Sequence, residues 1–285
     1  MITKEMLAFF KEKRARIFVI LIILIPLWDL ILMCGQANVI EVQANKAEYI
    51  RIDAELKASS EIDGCIYIPG WLCHPAKASF LSGSTSGHLA QVLLLWLMPL
   101  FVLNLCSDRV ISEHSRGYLN GVLARSSKRR YYCSKLFASF IIPLVVFLLS
   151  FLVNFGLSQI IFFDGDRFGG VELFAEYGGW FAFMYDSPNL AYLIYALATA
   201  VAAGLCGVIC QCVAFLTKKY VITYLITFFI WMAMVMMDDS ITYLMQPFTE
   251  YGLDYMIRSG AILLGVTLIC IVTVAVAKVK KDELQ

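Results

Sequence analysis

The sequence offers few side chains of the kinds that catalyse reactions or bind metal ions. Its 285 residues include only three histidines, His74, His88 and His114, and none lies in an apolar run. The spacings typical of a phosphate-binding loop, a helical zinc protease or a serine hydrolase do not occur. Because paired acids, bases and metal ligands are missing, we predict no catalytic residues and no resident metal or cofactor.

Two cysteines could form a covalent crosslink. Cys65 and Cys73 flank Pro69 in one polar connection. A disulfide between them would close this turn, provided that the connection faces an oxidising exterior and the geometry allows it. The alternative is a zinc site made by the same two cysteines with His74 and His88. We predict the disulfide as the candidate pair.

Other cysteines lie in an apolar run beside small residues. Cys206 and Cys210 are four residues apart, and Ala196, Ala200 and Gly204 also recur every four residues. Rows of small residues let membrane helices approach closely, and cysteine packs as another small apolar side chain. We predict that these cysteines serve helix packing.

Polar side chains inside apolar runs are the remaining candidates. Ser150, Asn154 and Ser158 recur every four residues, which places them on one face of a helix. Asn104 is an isolated amide, and Asp29 is the one ionisable residue well inside a run. Such groups hydrogen-bond between membrane helices or line a translocation path. All five are therefore candidates for a substrate path.

Asp29 has two interpretations. In the first, the helix loosens near Pro26, Asp29 reaches the outer headgroup region, and Trp28 anchors the interface. In the second, Asp29 faces the other helices, pairs with Asn104 or Asn154, and contacts the transported molecule. An aspartate at the bilayer centre costs about 2.5–3.5 kcal/mol on insertion scales, so either location needs compensation.

The elements that carry these residues are membrane-spanning helices. Sixty per cent of the residues are apolar, 16% are charged, and the mean hydropathy is +0.75. Apolar runs long enough to cross a bilayer predict an all-α integral membrane protein with one transmembrane domain, residues 1–285. Its six transmembrane helices are predicted at about 17–34, 89–106, 136–162, 190–216, 220–237 and 259–277.

The charges predict the orientation. Seventeen of the 23 basic residues lie in alternate connections that include both termini, whereas 15 of the 22 acidic residues lie in the other connections. By the positive-inside rule, both termini and the connection 107–135 are cytoplasmic, and the long connection 35–88 is outside. We therefore expect a multi-pass protein of the cell membrane, without a nucleic-acid partner. Residues 1–16 are predicted to form an amphipathic interfacial helix.

The connection 107–135 carries the most specific pattern. It resembles the loop between the second and third spans of ABC-2-type permeases, the membrane subunits of one class of ABC transporters. The matching positions are Glu113, Gly117, Leu123, Arg129 and Lys135. The chain departs from the family at Ser126, where a proline is common. The resemblance extends to the plan of a basic amino-terminal helix, six spans and inside termini.

The resemblance implies a function. The chain would be a permease subunit, paired with a second permease subunit and driven by a separate ABC ATPase that holds ATP and Mg. Residues Glu113, Gly117, Leu123 and Arg129 would belong to a cytoplasmic coupling helix that contacts this ATPase. The cargo would be amphiphilic, such as an antimicrobial peptide, a lipid or a drug, and export is the expected direction.

Two other classes stay open at this point. One is a membrane-embedded enzyme or scaffold that acts on lipids or peptides at the outer face, with candidate groups Asp53, Glu61, His74 and His88. The other is a sensor or assembly factor. Copurification of an ATP-hydrolysing subunit would favour the permease.

Overall fold

The structure is a computed structural model. It describes residues 12–36, 39–45, 47–48, 51, 73–82, 89–115, 127–163, 165, 178–249 and 251–280. The regular elements in these ranges are helical. The α-helices are α1 (Lys13–Gln36), α2 (Val39–Ala44), α3 (Pro75–Ala78), α4 (Leu89–Gln91), α5 (Met98–Val102), α6 (Asp108–Ser115), α7 (Lys128–Ile161), α8 (Gly179–Asp186), α9 (Pro188–Thr217), α10 (Tyr220–Val235) and α11 (Leu253–Val274). Short 3₁₀ turns cover Phe80–Ser82 and Ile241–Leu244, and π-helical segments cover Val92–Trp96, Leu103–Ser107 and Ala275–Lys280.

Four helices of the described chain are long and apolar enough to cross a membrane. They are Lys13–Gly35, Arg129–Ile161, Pro188–Thr217 and Leu253–Ala277. The pair Leu89–Trp96 and Met98–Ser107 makes a fifth if the two halves are counted as one span. The protein is therefore an all-helical, multi-pass membrane protein with four to five candidate spans.

The structure differs from the predicted six spans at two places. The second predicted span is bent by 53° between its halves. The fifth predicted span forms a helix of 16 residues, Tyr220–Val235, which is shorter than the other four. At about 1.5 Å per residue this helix is about 24 Å long, less than a typical hydrocarbon core of about 30 Å.

The bend in the second span has a local cause. Pro99 lies in the first turn after the break and has no N–H, so the carbonyl of Leu95 lacks its usual helical donor. The indole Nε1 of Trp231, on α10, donates a hydrogen bond to that carbonyl at 3.2 Å. Trp231 is only 1% exposed. A neighbouring helix thus satisfies the backbone group that the proline leaves open.

Helix α9 lies at the centre of the bundle. Two thirds of its apolar stretch (67%) is buried, compared with 17% for α11. The predicted row of small residues is part of the buried surface, because Ala196, Ala200 and Cys210 are fully enclosed. The prediction that this row serves helix packing agrees with this burial.

The contact between α7 and α9 depends on two glycines of α9. A Cβ atom on Gly204 would lie 2.8 Å from the carbonyl oxygen of Phe140. A Cβ atom on Gly207 would overlap the carbonyl oxygen of Ser139. Pro143, four residues after Ser139, cannot donate to that carbonyl, which is therefore left facing α9. The two backbones can touch only because neither glycine has a side chain.

This contact predicts the effect of one added methyl group. Gly207→Ala should lower the unfolding free energy by at least about 2 kcal/mol, because the new Cβ meets backbone that cannot move aside easily. The measurement is the unfolding transition of the detergent-purified chain. Gly265→Ala is the matched control, since no atom lies within 4 Å of the added Cβ. Equal stability of the two variants would contradict the proposed backbone contact.

Candidate functional site

Helix α7 holds α1 through two side chains that donate to main-chain carbonyls. The hydroxyl of Ser150 donates to the carbonyl of Ile22 at 2.7 Å. Ile22 lies four residues before Pro26, which has no N–H, so this carbonyl lacks its helical donor. The amide Nδ2 of Asn154 donates to the carbonyl of Pro26 itself at 2.9 Å. The predicted polar face of α7 is thus an interhelical hydrogen-bonding face.

The same asparagine fixes residues 73–82, which we call the inserted segment. The carbonyl oxygen of the Asn154 side chain accepts a hydrogen bond from the Phe80 N–H at 2.9 Å. The Gln91 side chain donates to the Phe80 carbonyl at 2.6 Å. Phe80 is fully buried, and its ring stacks on Phe151 with centroids 6.0 Å apart. Both main-chain polar groups of Phe80 are therefore satisfied inside the bundle, as irregular backbone in an apolar interior requires.

Asp29 lies inside the bundle. Only 2% of it is exposed, and α1 continues without interruption to Gln36. Its carboxylate is within electrostatic reach of the Tyr192 hydroxyl, which also lies beside Ser79 of the inserted segment. Tyr192 is fully enclosed, and its hydroxyl completes no hydrogen bond of ordinary geometry with the described residues. A carboxyl group of α1 and a phenol group of α9 therefore interact electrostatically inside the bundle.

The amides expected to pair with Asp29 bond elsewhere. Both ends of the Asn154 amide contact main chain, and the Asn104 amide donates to the carbonyl of Leu100 on its own helix at 2.8 Å. Ser158, fully buried, donates to the Asn154 carbonyl at 3.0 Å. Of the five predicted path residues, Ser150 and Asn154 therefore tie elements together, and Ser158 and Asn104 bond within their own helices.

The other end of α7 contains an ion pair that is largely shielded from water. The Lys135 Nζ lies 2.9 Å from a carboxylate oxygen of Glu113, and their side chains are 4% and 13% exposed. The Tyr131 hydroxyl donates to the same carboxylate at 3.4 Å. Glu113 is on α6 and Lys135 is on α7, so the pair joins the two helices that flank residues 116–126.

The other three predicted coupling residues take no part in this ion pair within the described chain. Arg129 is exposed near the start of α7. Gly117 and Leu123 lie outside the described residues, as does Cys65 of the predicted disulfide with Cys73. Their roles stay predictions.

Sulfur atoms also converge near the middle of α9. The Sγ atoms of Cys206 and Cys210 are 4.0 Å apart, and both residues are fully buried. No group of three or more histidine, cysteine, aspartate or glutamate side chains in the described ranges is arranged to hold a metal ion.

Sequence reasoning missed the inserted segment and Tyr192. The main-chain groups of Phe80 and the side chain of Asn154 are 74 residues apart, and nothing in the local pattern of either region indicates the contact. A signal for the α1 contact was present. A proline inside an apolar run marks the carbonyl four residues earlier as an acceptor, and a serine or asparagine on another span is a candidate donor.

Asn154 should therefore be needed for folding. Asn154→Leu removes the hydrogen bonds to Pro26 and Phe80, and we expect a loss of about 1–3 kcal/mol because each interhelical bond is worth about 0.6–2 kcal/mol. The measurement is the unfolding free energy of the purified chain in an SDS titration.

The matched control is Gln159→Leu on the same helix. Among the described residues, the Gln159 amide bonds to Asn189, in an exposed position. If the Asn154→Leu and Gln159→Leu variants had the same unfolding free energy, the central role of Asn154 would be contradicted.

Comparison with known proteins finds one matching family and one similar protein. The family described as "Protein of unknown function (DUF2705)" matches residues 75–284, from the start of the inserted segment to the carboxyl-terminal region. The "Uncharacterized protein YybM" of Bacillus subtilis (strain 168) is 30% identical over 212 residues, which cover 74% of this chain and 84% of that protein. No solved structure matches the chain. This chain is a multi-span membrane protein, and by the extent of the family match it belongs to the DUF2705 family.

Proposed function

We propose that the chain is the permease subunit of an ATP-driven transporter of the ABC class. It acts with a second permease subunit and with a separate ATPase subunit that binds ATP and Mg, and it exports an amphiphilic molecule. The single observation that carries this proposal is the largely shielded ion pair of Glu113 and Lys135. It lies at the base of the connection that resembles the ATPase-contacting loop of ABC-2-type permeases.

The ion pair suits a loop that transmits movement. It joins the helices on both sides of residues 116–126, so a force on that connection acts on the second and third spans together. Removing one partner of a pair that is largely shielded from water is destabilising, because the other charge loses an opposite charge at close range. The pair favours one arrangement of α6 relative to α7, which supports coupling between the connection and the bundle.

The proposal includes six spans. The bent pair Leu89–Trp96 and Met98–Ser107 is the second, and Tyr220–Val235 is the fifth. Lys218 and Lys219 precede the fifth helix, which places its start at the cytoplasmic face by the positive-inside rule. With six spans, both termini and residues 116–126 lie in the cytoplasm, where an ATPase subunit can bind.

The bundle also suits an amphiphilic cargo. Asp29 is the one acidic residue beyond the first turn of a candidate span in the described chain, and it lies near Tyr192 of α9. The other polar groups nearby, Ser150 and Asn154, are engaged with main chain. An interior with so few charges favours a molecule that carries little charge itself.

The test is an ATPase measurement on the complex. The tagged chain, purified in mild detergent from the membranes of its source cells, should retain an ATP-hydrolysing subunit with Mg-dependent activity. Glu113→Lys alone or Lys135→Glu alone should lower the retained activity at least tenfold, because each leaves two like charges facing each other.

The double variant Glu113→Lys with Lys135→Glu restores opposite charges and should recover much of that activity. Arg258→Ala is the control, since this arginine forms an exposed ion pair with Asp239 in a different connection. If no ATP-hydrolysing subunit is retained by the wild-type chain, the proposed function is wrong.

A further inference from the structure

A cavity of about 350 Å³ lies beside the inserted segment. Its walls come from the 3₁₀ turn Phe80–Ser82, the π-helical segment Val92–Trp96 and residues 242–249. The side chains that matter for its chemistry are Gln91, Leu95, Trp96, Thr242, Met245 and Gln246. The cavity is separate from the ion pair at the other end of α7.

The walls of the cavity are held in place by contacts already described. The Gln91 amide donates to the Phe80 carbonyl at 2.6 Å, and the Leu95 carbonyl accepts from Trp231 at 3.2 Å. Phe248, which lies in the sequence between the lining residues Pro247 and Thr249, adopts a left-handed backbone conformation with φ of 57° and is 3% exposed. A bulky residue in this conformation is strained and persists only where its surroundings hold it. The bonds of Gln91 and Leu95 therefore hold two walls of the cavity in place.

The lining residues that the structure describes include hydrogen-bonding groups, and none of them carries a charged side chain. The Gln246 side-chain amide makes no hydrogen bond to the described part of the chain, and Gln91 uses only an N–H of its amide there. An amide offers one acceptor and two donors. Leu95, Trp96 and Met245 supply apolar surface next to these groups. An ionic ligand would lose its hydration against these residues without gaining an opposite charge from them.

We propose that this cavity binds an uncharged amphiphile that carries an amide group beside an alkyl chain. The ligand amide pairs with the Gln246 amide, donor to acceptor, and the first part of the alkyl chain packs on Trp96 and Met245. The volume is at the lower end of the range for small-molecule sites, about 300–1,000 Å³, so it admits one chain and not a two-chain lipid. This inference rests on the proposed function only in taking the ligand as the exported cargo.

Binding can be tested without any ATPase. The purified full chain in phosphatidylcholine nanodiscs is titrated with N-dodecanoylethanolamine, and empty nanodiscs give the background of partitioning into lipid. Saturable binding is expected. Laurate and dodecyltrimethylammonium, which have the same chain length but carry a charge, should bind at least tenfold more weakly.

The decisive variant is Gln246→Leu, which leaves every hydrogen bond within the described residues intact and removes the amide. It should weaken binding of N-dodecanoylethanolamine by about tenfold, the loss expected for an unsatisfied ligand amide. Gln159→Leu, which removes an exposed amide from α7, should bind like the wild type.

Three results would overturn the inference: no saturable binding to the wild-type chain, equal affinity for the three probes, or unchanged affinity in Gln246→Leu. These results are independent of the ATPase test. If the chain binds the amide but retains no ATP-hydrolysing subunit, this site is supported and the transport proposal is wrong. If it retains such a subunit but does not bind the amide, the transport proposal is supported and this site is wrong.

Discussion

The rest of this bundle depends on one constraint: a backbone carbonyl that loses its helical hydrogen-bond donor to a proline needs another donor. In an apolar environment an unsatisfied carbonyl costs several kcal/mol, and water is not there to compensate. Pro26 leaves the carbonyl of Ile22 without a helical donor, and Ser150 of another helix donates to it. Pro99 leaves the Leu95 carbonyl of the second span without a helical donor, and Trp231 donates to it. The donors fix which helices are neighbours and in what register.

The features of possible functional interest follow from these contacts. Because Asn154 continues the row of donors on α7, it reaches both the carbonyl of Pro26 and the N–H of Phe80. The inserted segment is held there, and its Phe80 carbonyl positions Gln91 at the cavity wall. A chain of hydrogen bonds thus runs from α1 through α7 to the cavity. The ion pair of Glu113 and Lys135 lies at the opposite end of the same helix.

Local patterns in the sequence were sufficient for the long helices and insufficient for their irregularities. The predicted span 190–216 is the helix Pro188–Thr217, because an uninterrupted apolar run has one stable backbone in a membrane. The common face of Ser150 and Asn154 was also predicted, since it follows from helical spacing alone. The inserted segment and the bend of 53° were not. Both depend on contacts between residues far apart in the sequence, and the spacing of apolar residues carries no information about such contacts.

The most direct test of the central claim is a double-mutant cycle between Pro26 and Ser150. The measurement is the unfolding free energy of the purified chain in an SDS titration. Ser150→Ala should cost about 0.6–2 kcal/mol in the wild-type background, where the Ile22 carbonyl has no helical donor. In a Pro26→Ala background the restored N–H of residue 26 can bond that carbonyl, so the same substitution should cost little. An equal cost of Ser150→Ala in both backgrounds would contradict the account.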